Sequence, residues 1–268
     1  MDLFSIRSNY MSGGYDLLNA TSKTCQDIIL SKLAKCSLSE NVTIKGGVVI
    51  QNISKDKRRA TRDFDLDFIH YSLNDDSIRS FIGILTDVND GVAIHIVAPI
   101  EELSHEDYHG KRVFIELTDN LGYTVGTKLD IGVHNRLNIE QEVCYFEIDS
   151  LEESVSLMGN TKEQMFAEKL RSLLKHGRFS TRYKDIFDFY YFIAIDNVDK
   201  EKLDECFDEF IYSADDMREN SIADIYRRLN SIFKNEEFLR RVDTAQNNWL
   251  ELPINDVTNS ILSFLKED

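Results

Sequence analysis

The run Asp63-Phe64-Asp65-Leu66-Asp67-Phe68 alternates acidic and apolar residues at a period of two. In an extended strand that spacing puts Asp63, Asp65 and Asp67 on one face and Phe64, Leu66 and Phe68 on the other. Like charges on one face repel, which costs folding energy unless water or a cation screens them. The cation that suits clustered hard oxygen donors is Mg²⁺. The rival reading is a solvent-exposed edge strand with an acidic outer face, and so short a pattern, taken alone, favours that rival.

Two further features change the balance. Lys45-Gly46-Gly47 stands eighteen residues before Asp63, at the end of a short β-rich run and the start of a helical pattern. Two glycines let backbone N–H groups come close to a phosphate at a helix N-terminus, where the dipole favours anions; an ordinary strand-to-helix turn uses glycine just as well. Asp130, in Thr127-Lys-Leu-Asp130-Ile-Gly-Val133, is a single acid in a β-rich run. A lone Asp in a strand faces water, whereas one beside an Asp pair on a neighbouring strand could complete a three-carboxylate metal site.

His105-Glu106-Asp107-Tyr108-His109 matches the H-E-x-x-H pattern of zinc hydrolases, which works only on a helix that carries both imidazoles on one side. Here it lies between β-rich runs with Gly110 directly after, so zinc hydrolysis is rejected. His70, His95, His134 and His176 form no cluster in sequence. The chain has no G-x-x-x-x-G-K-[ST] phosphate loop and no G-x-S-x-G elbow. Trp249 and the run Phe189-Tyr190-Tyr191-Phe192 are expected in a helical core.

The elements that must position these residues change character near residue 155. Before it, strands are expected at Val42 to Ile44, Phe64 to Tyr71, Val92 to Ala98, Arg112 to Leu117 and Tyr123 to Val133, with helices at Thr21 to Cys36 and Asp76 to Val88. From Thr161 the period is helical. Thr161-Lys-Glu-Gln164 is a capping box, and Phe166, Leu170, Leu173 and Leu174 form an apolar stripe that ends near Gly177. Further stripes follow in Ile186 to Ile195, Leu203 to Tyr212, Ile222 to Phe233 and Val257 to Leu265. The expected class is α+β: a mixed sheet with flanking helices over residues 1–155, then a helical bundle over 156–268.

A formal charge of −16 argues against unspecific adhesion to nucleic acid or anionic lipid. Two basic islands run the other way. Lys55, Lys57, Arg58, Arg59 and Arg62 are opposed by Asp56 alone, and the segment from Lys162 to Asp188 is net +3, whereas the tail from Asp196 to Asp268 is net −9. Cys25, Cys36, Cys144 and Cys206 are scattered, which points to buried thiols in a reducing compartment. No run approaches the roughly 18 apolar residues of a membrane span, and the amino terminus has no secretory pattern. A soluble, cytoplasmic protein is expected.

Gly46-Gly47, then Thr61-x-Asp63-x-Asp65, then Asp130 resembles the signature of the polymerase-β-like nucleotidyltransferases. Within that superfamily, Ile-Lys-Gly-Gly-Val, Arg-x-Thr-x-Asp-x-Asp, Glu168-Lys169-Leu and Tyr183-Lys-Asp185-Ile-Phe-Asp188-Phe-Tyr resemble the AbiEii toxins of abortive-infection and toxin–antitoxin systems. The resemblance covers roughly residues 20 to 195. One departure is Gly-Gly where the superfamily more often has Gly-Ser, which removes a hydroxyl contact to phosphate.

The resemblance implies that Asp63 and Asp65 hold Mg²⁺ (or Mn²⁺) against the triphosphate of an NTP substrate, while Asp130 holds a catalytic metal or takes the proton from the attacking hydroxyl. Lys45, Gly46, Gly47 and Thr61 would contact phosphate, and Lys169, Arg178, Arg182 and Lys184 would meet the remaining charge. Lys169 and Asp185 would join the catalytic set, with Asp188, three residues beyond Asp185, sharing its helix face. By resemblance the reaction is NMP transfer to an RNA acceptor, with tRNA first in line, in a phage-defence toxin neutralised by a cognate antitoxin. Two alternatives stay open: phosphoryl transfer or nucleotidylation of a protein or small molecule by the same carboxylates, and a catalytically idle protein whose acidic helical half binds a basic partner. Three carboxylates and a triphosphate need more positive charge than two divalent ions supply. The helical half is therefore expected to close over the carboxylates, with Lys169 near the metal as an exposed cation whose removal costs at most about 0.5 kcal/mol.

Overall fold

The period-two alternation forms a strand whose two faces differ as the side chains require. In the computed structural model, which describes residues 1–105, 108–135 and 138–266, β1 spans Val42–Lys45 and β2 spans Phe64–Phe68. Phe64, Leu66 and Phe68 are fully shielded from solvent, while Asp65 and Asp67 take the other face. β2 is shorter than the expected run, because His70 turns into the left-handed region at φ 52°. The remaining strands are β3 (Val92–Ile96), β4 (Glu101–His105), β5 (Tyr108–Asp119), β6 (Thr124–Val133), β7 (Glu142–Ile148) and β8 (Glu153–Gly159).

The eight strands form one mixed sheet in the order β3-β5-β6-β2-β1-β8-β7, with β4 also on β5. β5 is long enough to carry β4 on residues 108–112 and β3 on residues 115–119, end to end along one edge. β2 runs antiparallel to β1 and parallel to β6, and β1 runs parallel to β8. Position 155, the expected boundary between the two halves, lies inside β8. The H-E-x-x-H pattern begins at the last residue of β4 and ends in β5, where the register pairs His105 with Tyr108 and Ser104 with His109; its described backbone is extended, not the helix that the pattern needs. Glu106 and Asp107 lie outside the described residues.

The chain divides into two compact units, Met1–Asn160 and Thr161–Asp268. In the first, α1 (Leu3–Ser12), α2 (Leu17–Lys35), α3 (Gly47–Ser54) and α4 (Asp75–Thr86) accompany the sheet. Asp2, Asp16 and Asn74 cap α1, α2 and α4 by accepting from the N–H three residues on. α2 is buried on nearly every side, and its polar residues are satisfied internally. Asp27, fully buried, accepts from Ser150 at 2.8 Å and from Tyr10 and Lys23. Burial beside this carboxylate pushes the Tyr10 phenol up from its ordinary value.

The second unit contains α5 (Lys162–His176), α6 (Lys184–Ala194), α7 (Lys200–Phe207), α8 (Ile222–Phe233), α9 (Glu236–Val242) and α10 (Ile254–Phe264). Thr161 caps α5 by accepting from the Gln164 N–H. Phe166 lies at its centre, with ring centroids of Phe189, Phe207 and Phe264 at 4.8, 6.2 and 6.4 Å. Trp249 is 2% exposed, and Phe189, Tyr191 and Phe192 are buried with it, so these aromatic residues are core. Among the described residues no helix is long and apolar enough to cross a membrane.

Lys32 lies fully buried in α2 and donates to the Val88 carbonyl at 3.0 Å and to Asp90 at 2.7 Å. It ties α2 to the loop between α4 and β3. Lys32→Ala would leave the Asp90 carboxylate without its cation, so about 3–5 kcal/mol of unfolding free energy should be lost. Urea titration measures this, and the double variant Lys32→Ala/Asp90→Ala should recover part of the loss.

Candidate functional site

β1 ends in a turn that only glycine can make. Gly46 sits at φ 67°, ψ −139°, outside the range open to other residues. A Cβ there would stand 2.6 Å from an Asp65 carboxylate oxygen. A Cβ on Gly47, the first residue of α3, would stand 2.5 Å from the Thr61 hydroxyl and 2.6 Å from Thr61 Cβ. Asp65 and Thr61 are thus lodged directly against the two glycines. Gln26, buried in α2, donates to the Thr61 carbonyl at 3.0 Å and fixes that side of the turn. The first N–H groups of α3 start at this point with the positive end of the helix dipole behind them.

The sheet register brings the second carboxylate to the first. Asp65 on β2 pairs with Asp130 on the parallel strand β6 and with Lys45 on the antiparallel strand β1. Each neighbouring acid has an organic cation. Asp130 accepts two 2.7 Å bonds from the Arg112 guanidinium, Asp63 meets Lys128 at 2.8 Å, and Asp67 meets Lys45 at 2.8 Å. Asp63 immediately precedes β2, and its side chain is about half exposed. Lys45, Gly46, Gly47, Thr61, Asp63, Asp65 and Asp130 therefore gather around one end of β1 and β2.

The second unit holds the other expected residues, and here one expectation is corrected. Lys169 is not an exposed cation: it is 5% exposed and lies between Asp185, which it contacts directly, and Asp188, at 3.1 Å. Arg182 donates to the other Asp185 oxygen at 2.7 Å, and the Trp249 indole N–H donates to Asp188 at 3.2 Å. The three-residue spacing on α6 does put both acids on one face, turned toward α5. Burial by itself would raise the Asp185 carboxyl, but Lys169 and Arg182 outweigh it and hold the group well below its ordinary 3.8. Arg178 is exposed in a single 3-10 turn, Gly177–Phe179, and Lys184 opens α6 half-buried. Much of the basic segment is neutralised internally, since Arg171 and Lys175 both pair with Asp216 and Lys162 with Asp196.

The family model described as nucleotidyl transferase AbiEii toxin, type IV TA system, matches residues 28–252 of the 268. The chain belongs to the AbiEii family. No curated protein matches it in sequence. AbiEii proteins are nucleotidyltransferase toxins of type IV toxin–antitoxin systems, and the match spans both the glycine turn and the Lys169 network.

In this AbiEii chain, three residues beside the carboxylates escape a reading of the sequence. Arg112 follows Lys111 in β5 and Lys128 is a lone cation in β6, and their significance emerges only once the β5–β6 register places Arg112 opposite Asp130. Gln26 is a polar residue in a buried helix. Among the described residues no three His, Cys, Asp or Glu side chains form a group that could hold a metal ion. The donor chemistry of Asp65 and Asp130 still fits a hard divalent cation, because the two are register neighbours and both offer carboxylate oxygens.

Three outcomes test this geometry. Gly47→Ala should cost about 1–3 kcal/mol by forcing the methyl against Thr61, and Thr61→Gly in the same chain should restore most of it in a thermal or urea denaturation cycle. Lys169→Ala should cost about 3–5 kcal/mol, since the buried Asp188 and Asp185 both lose an ion-pair partner, Asp185 keeping Arg182. Because the Asp185 carboxyl is depressed in the folded state, its contribution is fully present above pH 3.8 and lost as pH falls below that value. Stability should therefore drop more steeply between about pH 4 and pH 2 in the unaltered protein than in Asp185→Asn.

Proposed function

We propose that this AbiEii-family protein transfers an NMP unit from an NTP to an RNA acceptor, tRNA first among candidates, in a reaction that needs Mg²⁺ or Mn²⁺. The resulting growth arrest would be relieved by a cognate antitoxin. The observation that carries the reading is the Gly46–Gly47 turn, which has no room for a Cβ and presses the start of α3 against Asp65 beside Asp130. A phosphate chain laid on this turn would receive backbone N–H groups and the favourable end of a helix dipole.

Asp65 and Asp130, with Asp63 beside them, are the residues that would hold the divalent cation. When bound, it would neutralise charge on the triphosphate and make the acceptor hydroxyl more acidic. The acceptor oxygen attacks the α-phosphorus, the bond to the β-phosphate oxygen breaks, and pyrophosphate leaves with the electron pair. The hydroxyl proton passes to a carboxylate, for which Asp130 is the candidate. Arg112 and Lys128, already paired with these acids, stand ready to offset the charge of the substrate. Thr61 and Lys45 complete the polar lining of the turn.

Incubation of the purified protein with each α-labelled NTP, Mg²⁺ and total RNA should label RNA and release pyrophosphate. Asp65→Asn should lower the rate by ~10²-fold or more, and chelation of the divalent cation should stop the reaction. Labelled protein in place of RNA would redirect the acceptor. Release of NDP in place of pyrophosphate, or cellular toxicity that survives Asp63→Ala, would overturn nucleotidyl transfer.

A further inference from the structure

The turn that follows α5 carries one bare aromatic ring beside an arginine, and arginines from α8 and α9 bond backbone carbonyls before it. Phe179 is 73% exposed, and the Arg178 guanidinium lies 5.0 Å from its ring centroid. Arg241, from the last turn of α9, donates to the Arg178 carbonyl at 3.3 Å. Arg228, from α8, donates to the Leu174 carbonyl at 3.4 Å and lies against Gly177, where a Cβ would meet its Nη2 at 3.2 Å. Arg182, three residues beyond Phe179, is 56% exposed along its side chain. All four arginines are exposed.

These cations keep their charge. Arg182 pairs with Asp185, but among the described residues no carboxylate forms an ion pair with Arg178, Arg228 or Arg241. A bond to a backbone carbonyl satisfies an N–H without neutralising the guanidinium. Capping of the α5 carboxyl end accounts for Arg228. It accounts for neither Arg178 nor an aromatic ring left in water. The surroundings make the patch stand out further, because the tail from Asp196 to Asp268 is net −9. Cations beside an exposed ring match what an unpaired nucleic-acid strand presents: phosphates for the arginines and a base face for the ring. An acidic polypeptide would use the charge and leave the ring without a task.

We propose that Arg178, Phe179, Arg228 and Arg241 form a docking surface for single-stranded RNA, with Phe179 stacking on a base and the arginines tracking phosphates. The inference rests on the RNA-acceptor reading above and names the surface that would hold that acceptor. Gly177, at φ 55°, lets the chain leave α5 sharply enough to display the ring.

The test is fluorescence anisotropy of a labelled single-stranded RNA with the full-length protein over a range of salt, in parallel with transfer assays. Phe179→Ala and Arg241→Glu should each weaken RNA binding about tenfold. The slope of log affinity against log salt should fall by about 0.7 for every phosphate that a variant no longer neutralises, whereas Arg241→Lys should stay close to the unaltered protein. NTP-induced thermal stabilisation should be unchanged in all three, which also shows that they fold. If the unaltered protein labels RNA while Phe179→Ala and Arg241→Glu bind and label it equally well, the docking surface is overturned and the RNA reading stands. If the unaltered protein binds no RNA and labels only protein or small molecules, both are overturned. If the variants keep RNA affinity but lose binding to polyglutamate, the surface takes an acidic protein and the proposal is wrong.

Discussion

Absence of space for a Cβ at positions 46 and 47 governs the geometry of the first unit's polar end. Gly46 holds a backbone angle closed to other residues while Asp65 leans on its Cα, and Gly47 starts α3 with Thr61 packed where a side chain would be. Those two close approaches bind β1, β2, α3 and the segment before β2 into a single arrangement. Gln26 extends it to α2 through the Thr61 carbonyl. Everything polar that surrounds Asp65 inherits its position from this packing, including the register that sets Asp130 beside it.

Charge compensation is the second constraint, and both units meet it in the same way. Asp63, Asp67 and Asp130 are each matched by a basic side chain, and so are Asp185 and Asp188 through Lys169. The energies differ. The Asp63–Lys128 pair, about half exposed on the acid side, contributes little and can be exchanged for another partner at small cost. The Lys169 network is buried, so its members cannot be removed singly without leaving a charge stranded. The Asp63 carboxylate is therefore available for exchange, while Asp185 and Asp188 are part of the fold.

Much of this was legible in the sequence, and the failures have physical causes. The alternation of Asp63 to Phe68 specifies a two-faced strand, and Thr161 to Gln164 specifies a helix start; both signals are local, and both elements are present. Pairing is not local, so β6 beside β2 could be inferred only by resemblance. β7 and β8 were missed because their inward residues, Phe146 and Ile148 on one strand and Val155 and Leu157 on the other, are separated by Glu and Ser in runs too short to stand out. The burial of Lys169 could have been found: it lies three residues after Phe166 and four before Leu173, inside the apolar stripe. Lys32 repeats the pattern, four residues after Ile28. A lysine on the apolar face of a helix is a signal of a buried partner, and here both partners are aspartates.

The order of strands in the sheet also sets a timetable. β1 and β2 leave the ribosome close together, but Asp130 follows Asp65 by 65 residues, and β8, which flanks β1 on its other side, ends only at Gly159. Pairings between segments so far apart in sequence form late and slowly. A nascent chain therefore exposes its glycine turn long before the neighbouring carboxylate is in register. The polar end of the sheet comes into being only once β6 and β8 have both emerged from the ribosome.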